Sequence, residues 1–148
     1  MTAPQQAEAA ALQPPPRRLL LDTHILLYWL GRDSRLSAEQ AGLISAASAD
    51  QPLCVADISL WEIATLVSLG RLKLQTPLRD WLEAAVAPPL VQRIGISPSI
   101  AAEVAQLPDT FPRDPADRII VATARVLGAS LLTQDRRMIE AGVAPTIV

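Results

Sequence analysis

The chain has 148 residues, of which half are hydrophobic and 19% are charged, and its formal net charge is −2. This length and composition are typical of one folded domain with a single core, and they exclude an intrinsically disordered chain. The small negative charge excludes attraction of nucleic acid by a global positive field, so any contact with RNA has to be local.

The chain opens with a segment that has no apolar period. Residues 1–17 are rich in Ala, Gln and Pro, so we predict a disordered leader followed by one domain over 18–148. The leucines at 19–21 stop at Asp22, which is the pattern of a short buried strand in a parallel sheet. A helix is predicted next, over 24–30.

The middle of the chain is predicted to be mostly helical. Ser37 is typical of a helix cap, with the helix running to about residue 46, and residues 52–55 predict a weaker strand. Ser59 and Glu62 match the capping-box pattern, in which each side chain bonds to a backbone N–H group of the other residue. We therefore predict that a helix begins at Ser59 and that Glu62 can be explained as part of its cap.

Proline in the first turn marks the helices of the second half. Pro77, Ser97-Pro98 and Asp114-Pro115 each predict a helix start, and the last of these opens an apolar helix that Gly128 closes. The remaining predicted elements are strands over 91–96, 131–133 and 146–148 and a short helix over 136–140. Strands that alternate with helices predict an α/β three-layer sandwich, in which helices cover both faces of a mostly parallel sheet of four to five strands.

The single cysteine and the hydrophobic runs indicate the cellular compartment of the protein. Cys54 lies in an apolar stretch and has no partner for an internal disulfide, which predicts a buried thiol in a reducing compartment. No apolar run reaches the roughly 18 residues that a membrane-spanning helix needs. The opening segment lacks the leading positive charges of a signal peptide. We therefore expect a cytoplasmic protein without a membrane segment.

Acidic residues are predicted to meet at one edge of the sheet. Ligands of parallel sheets bind beyond the carboxyl ends of the strands, where Asp22 leaves the first strand and Asp135 follows the fourth. Asp117 lies one turn into an apolar helix, on the same face as Asp114. Each of these acids, like Glu62, also has a local explanation as a helix cap or turn residue, but local explanations do not predict that the acids converge.

Convergence of carboxylates indicates a metal site. Close pairs repel each other by a few kcal/mol at an effective dielectric constant of about 20, and a hard divalent cation removes that repulsion. Oxygen ligands without a histidine or thiolate cluster select Mg²⁺ or Mn²⁺ over Zn²⁺. Such ions activate water and neutralise a phosphodiester, so the residues predict phosphoryl hydrolysis. If the acids repel each other without metal, Asp135→Asn is expected to leave the metal-free protein as stable or more stable.

Four segments, taken in order, resemble the motifs of the PIN-domain ribonucleases, with the greatest similarity to VapC-type toxins of toxin–antitoxin pairs. The segments are 19–24 (LLLDTH), 59–64 (SLWEIA), 113–118 (RDPADR) and 131–135 (LLTQD). The resemblance covers about residues 18–148, and four motifs in order are far more specific than any one of them.

The resemblance implies a Mg²⁺- or Mn²⁺-dependent endoribonuclease that works as a homodimer and is inhibited by a small antitoxin whose C-terminal segment blocks the acidic cleft. The catalytic and metal-binding positions it implies are Asp22, Glu62, Asp117 and Asp135, with Asp114 as an accompanying acid and Thr133 as a hydroxyl near the metal. The sequence departs from the pattern at Pro112, where many relatives carry a histidine.

Other residues near the motifs are assigned supporting roles. Thr23 and Arg118 are expected to support the site or contact the substrate. Arg137 flanks an acidic position and could contact an RNA phosphate or a carboxylate, but a solvated charge is the preferred interpretation. His24, the only histidine, is interpreted as a helix-start residue oriented by its neighbours, because a metal-activated water needs no histidine base. The tryptophans, namely Trp29, Trp61 and Trp81, are interpreted as core or dimer contacts.

The sequence leaves three alternatives open. A receiver-type signalling domain also carries acids at strand ends, but it needs a lysine after a late strand and the only lysine is Lys73. A haloacid-dehalogenase-like phosphatase needs an Asp-x-Asp pattern, and His24 stands at its second position. A degenerate PIN domain that only binds a partner would lack metal binding, which a metal titration detects.

Overall fold

The computed structural model describes residues 17–148, so the predicted leader lies outside the described residues except for Arg17. Strands and helices alternate along this part of the chain. In chain order they are β1 (Leu19–Leu21), α1 (Thr23–Leu30), α2 (Ala38–Ser45), β2 (Leu53–Ala56), α3 (Asp57–Ser68), α4 (Leu78–Ala85), β3 (Val91–Ile94), α5 (Pro98–Gln106), α6 (Pro115–Leu127), β4 (Ser130–Leu132), α7 (Arg136–Ala141) and β5 (Thr146–Ile147).

The strands form one five-stranded sheet in the order β3-β2-β1-β4-β5. Every neighbouring pair is parallel, and at the centre Leu20 is in register with Cys54 on one side and with Leu131 on the other. The carboxyl ends of the strands therefore share one edge, where chemistry is expected. This confirms the predicted α/β class, with β5 as the predicted edge strand.

The core lies on both faces of the sheet because side chains alternate along each strand. Leu20 and Leu131 pack with apolar residues of α6 on one face, whereas Leu21 and Leu132 pack with residues of α1 on the other. Burying one such leucine is worth about 1.5–3 kcal/mol. These two hydrophobic clusters hold the strand ends in a fixed position relative to the helix starts, and the predicted burial of Cys54 is confirmed.

Several predicted helix ends are confirmed by their caps. The Ser37 side chain accepts a hydrogen bond from the backbone of Gln40, which completes a capping box. Asp114 caps α6 by accepting from the backbone N–H of Asp117 at 3.1 Å. Gly128 ends α6 with a φ of 62°, a conformation that glycine adopts without strain.

The predicted start of α3 is wrong. The helix begins at Asp57, directly after β2, and its cap Ala56 makes no side-chain hydrogen bond. Ser59 is buried within the first turn, and its hydroxyl is hydrogen-bonded to that of Thr23 at 2.9 Å. Since the strand leads into the helix without a loop, the helix needs no capping box at Ser59. Glu62 is therefore not used as a cap and is free for another role.

Within residues 17–148, no helix is both long enough and apolar enough to cross a bilayer.

Candidate active site

Asp22 lies at the carboxyl edge of the sheet and is held there on both carboxylate oxygens. Its Oδ1 accepts a hydrogen bond from Thr23 N at 2.8 Å, which caps α1. Its Oδ2 accepts a hydrogen bond from the Thr133 hydroxyl at 2.7 Å. Asp22 is only 3% exposed. The predicted cap and the predicted site residue are thus the same side chain, oriented by β1 and by the residue that follows β4.

Three further acids meet beside it. Glu62, Asp114 and Asp117 each offer a carboxylate oxygen, and these oxygens all lie within 4.8 Å of one another. Glu62 comes from α3, whereas Asp114 and Asp117 come from the start of α6. The Thr23 hydroxyl donates to Glu62 Oε1 at 2.6 Å and so orients that carboxylate. The structure brings Asp114, predicted as an accompanying acid, into this group.

Asp135 joins the acids through an arginine. Its side chain caps α7 by accepting from Arg137 N at 2.9 Å. The guanidinium of Arg137 lies 3.2 Å from Asp135 Oδ2 and 3.3 Å from Asp117 Oδ2. Of the two interpretations of Arg137, the contact with carboxylates is therefore confirmed and the solvated charge is wrong. Its side chain is 64% exposed, yet it forms ion pairs with two of the predicted site residues.

Burial and crowding change the protonation of Asp117. Burial is the main cause that raises the pKa of Asp117 to about 7, and the negative charges of Asp114, Asp22, Glu62 and Asp135 raise it further. Burial also raises the pKa of Glu62, although the hydrogen bond from Thr23 opposes this shift. These carboxylates are held together against their own repulsion.

The pKa values of Asp22 and Asp135 shift in opposite directions. Burial raises the pKa of Asp22 even though the adjacent His24 ring and the hydrogen bond from Thr133 act to lower it. Partial burial also acts to raise the pKa of Asp135, but hydrogen bonds from the side chain and backbone of Arg137 outweigh it, and the net shift is downward. Asp135 therefore has a local counter-charge, which the other acids lack to this degree.

His24 is used structurally, as predicted. Its Nε2 accepts a hydrogen bond from Gln134 N at 2.9 Å, and its Nδ1 lies 3.5 Å from Asp22 Oδ2. A ring nitrogen that accepts from an N–H group carries no proton, so the neutral ring has its proton on Nδ1, facing Asp22. The imidazole is held between a backbone amide and a carboxylate.

Two glutamines with no functional signal in the sequence support the loop after β4. Gln40 is fully buried, and its Nε2 donates to the carbonyls of Thr133 at 3.1 Å and Ile147 at 2.9 Å. Gln134 Nε2 in turn donates to Gln40 Oε1 at 3.0 Å. The only sequence signal was the position of Gln40 in a capping box, and nothing local pointed to a contact across the sheet edge.

The basic residue predicted near Asp117 is engaged with the backbone. Arg118 Nη1 lies 3.4 Å from the carbonyl oxygens of Phe111 and Pro112, to which it donates. Arg118 also lines a polar cavity of about 350 Å³ together with Asp109 and Arg113. The predicted substrate contact of Arg118 remains a prediction.

The three tryptophans differ in environment. Trp29 and Trp81 pack against the core cluster that contains Leu21, as predicted. Trp61 is 59% exposed and is not a core residue, so the core interpretation is wrong for it. Whether Trp61 contacts a second subunit stays a prediction.

A second cavity lies away from the acids. It measures about 520 Å³ and is bounded by Leu19 and Leu53 at the amino ends of their strands and by Leu43. The acids instead lie at the carboxyl edge, where parallel sheets bind ligands, so we assign the candidate site to that edge.

Comparison with known proteins identifies the family of the chain. The model of the family described as PIN domain matches residues 19–144. The chain is 41% identical over 120 residues to the protein named Ribonuclease VapC22 from Mycobacterium tuberculosis, a match that covers 81% of this chain and 88% of that protein.

Solved structures share the fold at lower identity. A VapBC-1 structure from nontypeable Haemophilus influenzae is 17% identical, with a TM-score of 0.65 and coverage of 87% of this chain and 96% of that chain. A toxin–antitoxin complex from Klebsiella pneumoniae is 20% identical, with a TM-score of 0.60 and coverage of 88% and 96%. At these identities the likeness shows the fold alone.

Proposed function

The chain belongs to the PIN domain family, and on that premise we propose that it is a metal-dependent endoribonuclease, the toxin of a toxin–antitoxin pair. The observation that carries the proposal is the group formed by Glu62, Asp114 and Asp117, whose carboxylate oxygens lie within 4.8 Å of one another at the carboxyl edge of the sheet. The identity to a protein named as a ribonuclease supports RNA as the substrate.

The donor set fits Mg²⁺ or Mn²⁺. All of its atoms are carboxylate oxygens, which are the ligands that these hard cations prefer. Burial and the neighbouring negative charges raise the pKa of Asp117 to about 7, and a cation bound to the group would offset both by stabilising the ionised carboxylate. When bound, the ion supplies charge neutralisation at the phosphodiester and an activated water. We propose that Asp22, Glu62, Asp117 and Asp135 form the metal-binding and catalytic set, and that Asp114 belongs to it.

The surrounding hydroxyls keep these acids oriented. Thr133 holds Asp22 at 2.7 Å and Thr23 holds Glu62 at 2.6 Å. Both hydroxyls are buried, so their hydrogen bonds are not shared with bulk water. Acids that are already in position before substrate arrives lose little conformational freedom during the reaction, which is the usual basis of a preorganised site. We therefore assign Thr23 and Thr133 as positioning residues.

Partners and location follow from the same proposal. A toxin–antitoxin complex among the structures that share this fold supports a small antitoxin as the inhibitor. Trp61 and Leu69 expose large apolar side chains on and just after α3, which supports a homodimer contact there. A cytoplasmic location is proposed on the ground that Cys54 is a free, buried thiol.

The proposal is tested with the full chain, a labelled single-stranded RNA and added Mn²⁺ or Mg²⁺. Wild type is compared with Asp22→Asn and Asp117→Asn, and Asp80→Asn serves as a control because Asp80 is an exposed acid on α4. We expect the rate of RNA cleavage to fall about tenfold to a hundredfold in the two site variants and to stay unchanged in the control.

Metal binding separates this proposal from a degenerate PIN domain. Calorimetry with Mn²⁺ should show binding to wild type and weaker binding to Asp117→Asn. RNA cleavage that persists unchanged in both site variants would overturn the assignment of the site. A wild-type chain that neither binds Mn²⁺ nor cleaves RNA would overturn the function.

A further inference from the structure

The guanidinium of Arg137 contacts two of the proposed metal ligands at once. Its Nη2 donates to Asp117 Oδ2 at 3.3 Å and to Asp135 Oδ2 at 3.2 Å. One guanidinium nitrogen carries two N–H groups, so both contacts can be made together. Arg137 thus contacts carboxylate oxygens of two residues that we propose as metal ligands.

Backbone hydrogen bonds hold Asp135 and the start of α7 independently of the Arg137 side chain. Asp135 Oδ1 accepts from the backbone N–H of Arg137 at 2.9 Å, and the backbone N–H of Asp135 donates to the Thr133 hydroxyl at 3.0 Å. With a side chain that is 64% exposed, the guanidinium has open solvent beside it. It can leave Asp117 while the backbone contacts of α7 stay in place.

The charge balance of the site gives the guanidinium a second role. The carboxylates of Asp22, Glu62, Asp114, Asp117 and Asp135 outnumber the two positive charges of one divalent ion. A phosphodiester that approaches the occupied site would still meet a negative field unless another cation stands at its edge. A planar guanidinium also matches the geometry of a phosphate group.

We propose that Arg137 is a resident counter-ion that competes with the metal in the free protein and binds an RNA backbone phosphate once the metal has displaced it from Asp117. The proposal rests on the proposed metal-dependent ribonuclease function. It assigns Arg137 to substrate binding. The same side chain then weakens metal binding in the free protein and strengthens RNA binding once the metal is bound.

The first test measures Mn²⁺ affinity of the full chain by calorimetry, with no RNA present. Arg137→Gln should bind Mn²⁺ about threefold to tenfold more tightly than wild type, the range for losing one or two partly exposed ion pairs. Arg136→Gln is the matched control, since it removes a positive charge from the neighbouring position of α7. Among the described residues Arg136 has no ion-pair partner within 4.0 Å. The control should therefore change the affinity by less than about twofold.

The second test measures RNA cleavage at saturating Mn²⁺ over a range of salt concentrations. Arg137→Gln should lower kcat/KM, and the slope of log kcat/KM against log salt should become shallower by roughly 0.7, as expected for one lost phosphate contact on a single strand. Arg137→Lys keeps the positive charge but lacks the planar guanidinium. Its kcat/KM should therefore lie between those of wild type and Arg137→Gln.

The outcomes distinguish this inference from the function on which it rests. Unchanged or weaker Mn²⁺ binding in Arg137→Gln, while wild type binds Mn²⁺ and cleaves RNA, would overturn the role of Arg137 alone. An equal gain in affinity in Arg136→Gln would also overturn it, because the effect would then come from general charge. Absence of both Mn²⁺ binding and cleavage in wild type would remove the proposed function itself.

Discussion

The Thr133 hydroxyl donates a 2.7 Å hydrogen bond to Asp22 Oδ2, although 111 positions separate the two residues in the chain. The same hydroxyl accepts from the backbone N–H of Asp135 at 3.0 Å. A single buried side chain therefore ties the end of β1 to the segment that leads from β4 into α7. Two of the predicted acids are positioned by one hydroxyl group.

Thr133→Val is expected to weaken both the fold and the site. Valine has the same shape but leaves the backbone N–H of Asp135 unpaired and removes one of the two hydrogen bonds to Asp22, a loss of about 1–3 kcal/mol in the free energy of unfolding. Urea unfolding and the cleavage assay measure the two effects. Thr133→Ser keeps the hydroxyl and should retain most of the activity; equal losses in both variants would contradict the role of the hydroxyl.

Asp117→Asn is expected to stabilise the metal-free protein at high pH. Its pKa is raised to about 7 in the folded state from an ordinary value of 3.8, so the folded protein binds this proton more tightly than the unfolded chain. The stability linked to the proton is fully present below about pH 4 and is lost as the pH rises through about 7. Asparagine has no proton to lose.

Unfolding in EDTA at pH 4 and pH 8 checks this expectation. The variant should gain on the order of 2–4 kcal/mol over wild type at pH 8 and little at pH 4. At pH 8, saturating Mn²⁺ should make wild type more stable than Asp117→Asn, because an ion bound to the folded state of wild type stabilises that state. A variant that is less stable than wild type at both pH values without metal would contradict the repulsion among these acids.

For Asp135→Asn, the structure changes the stability that the sequence predicted for the metal-free protein. Repulsion alone predicted equal or greater stability without metal, but Arg137 lowers the pKa of Asp135 and so makes its ionised form favourable. This stability is present above the ordinary carboxyl pKa and is lost as the pH falls through the lowered value.

The change in stability should be small. Asparagine still caps a helix well, and the ion pair with the exposed guanidinium is worth less than about 1 kcal/mol. We therefore expect a slight loss at pH 7 that disappears once the pH falls below the lowered pKa of Asp135, measured by thermal melting in EDTA. A clear gain in melting temperature at pH 7 would show that repulsion dominates after all.

Gln40→Leu is expected to damage the site from a distance. The substitution removes the side-chain donor to the carbonyls of Thr133 and Ile147. The Ile147 carbonyl still accepts from the backbone N–H of Thr133, so the expected cost of about 1–3 kcal/mol comes from the Thr133 carbonyl. We expect a lower melting temperature together with weaker Mn²⁺ binding, since the loop after β4 carries Asp135. Gln51→Leu, an exposed change near the start of β2, is the control and should affect neither quantity.

Much of the fold could be predicted because its signals are local. The leucines at 19–21, the Asp114-Pro115 start and the Gly128 end each depend on neighbours within a few positions, and each appears in the structure as expected. The alternation of strands and helices then determined a parallel sheet whose carboxyl ends collect Asp22 and Asp135 at one edge.

The arrangement within the site was decided only by the tertiary structure. The start of α3 shifted to Asp57, which turned Glu62 from a predicted cap into a carboxylate held by Thr23, 39 positions away. The bridge made by Arg137 likewise joins acids from two separate helix starts. Such contacts depend on sheet register and on the rotation of each helix about its axis. These are set by packing of the whole core, so a local stretch of sequence carries no record of them.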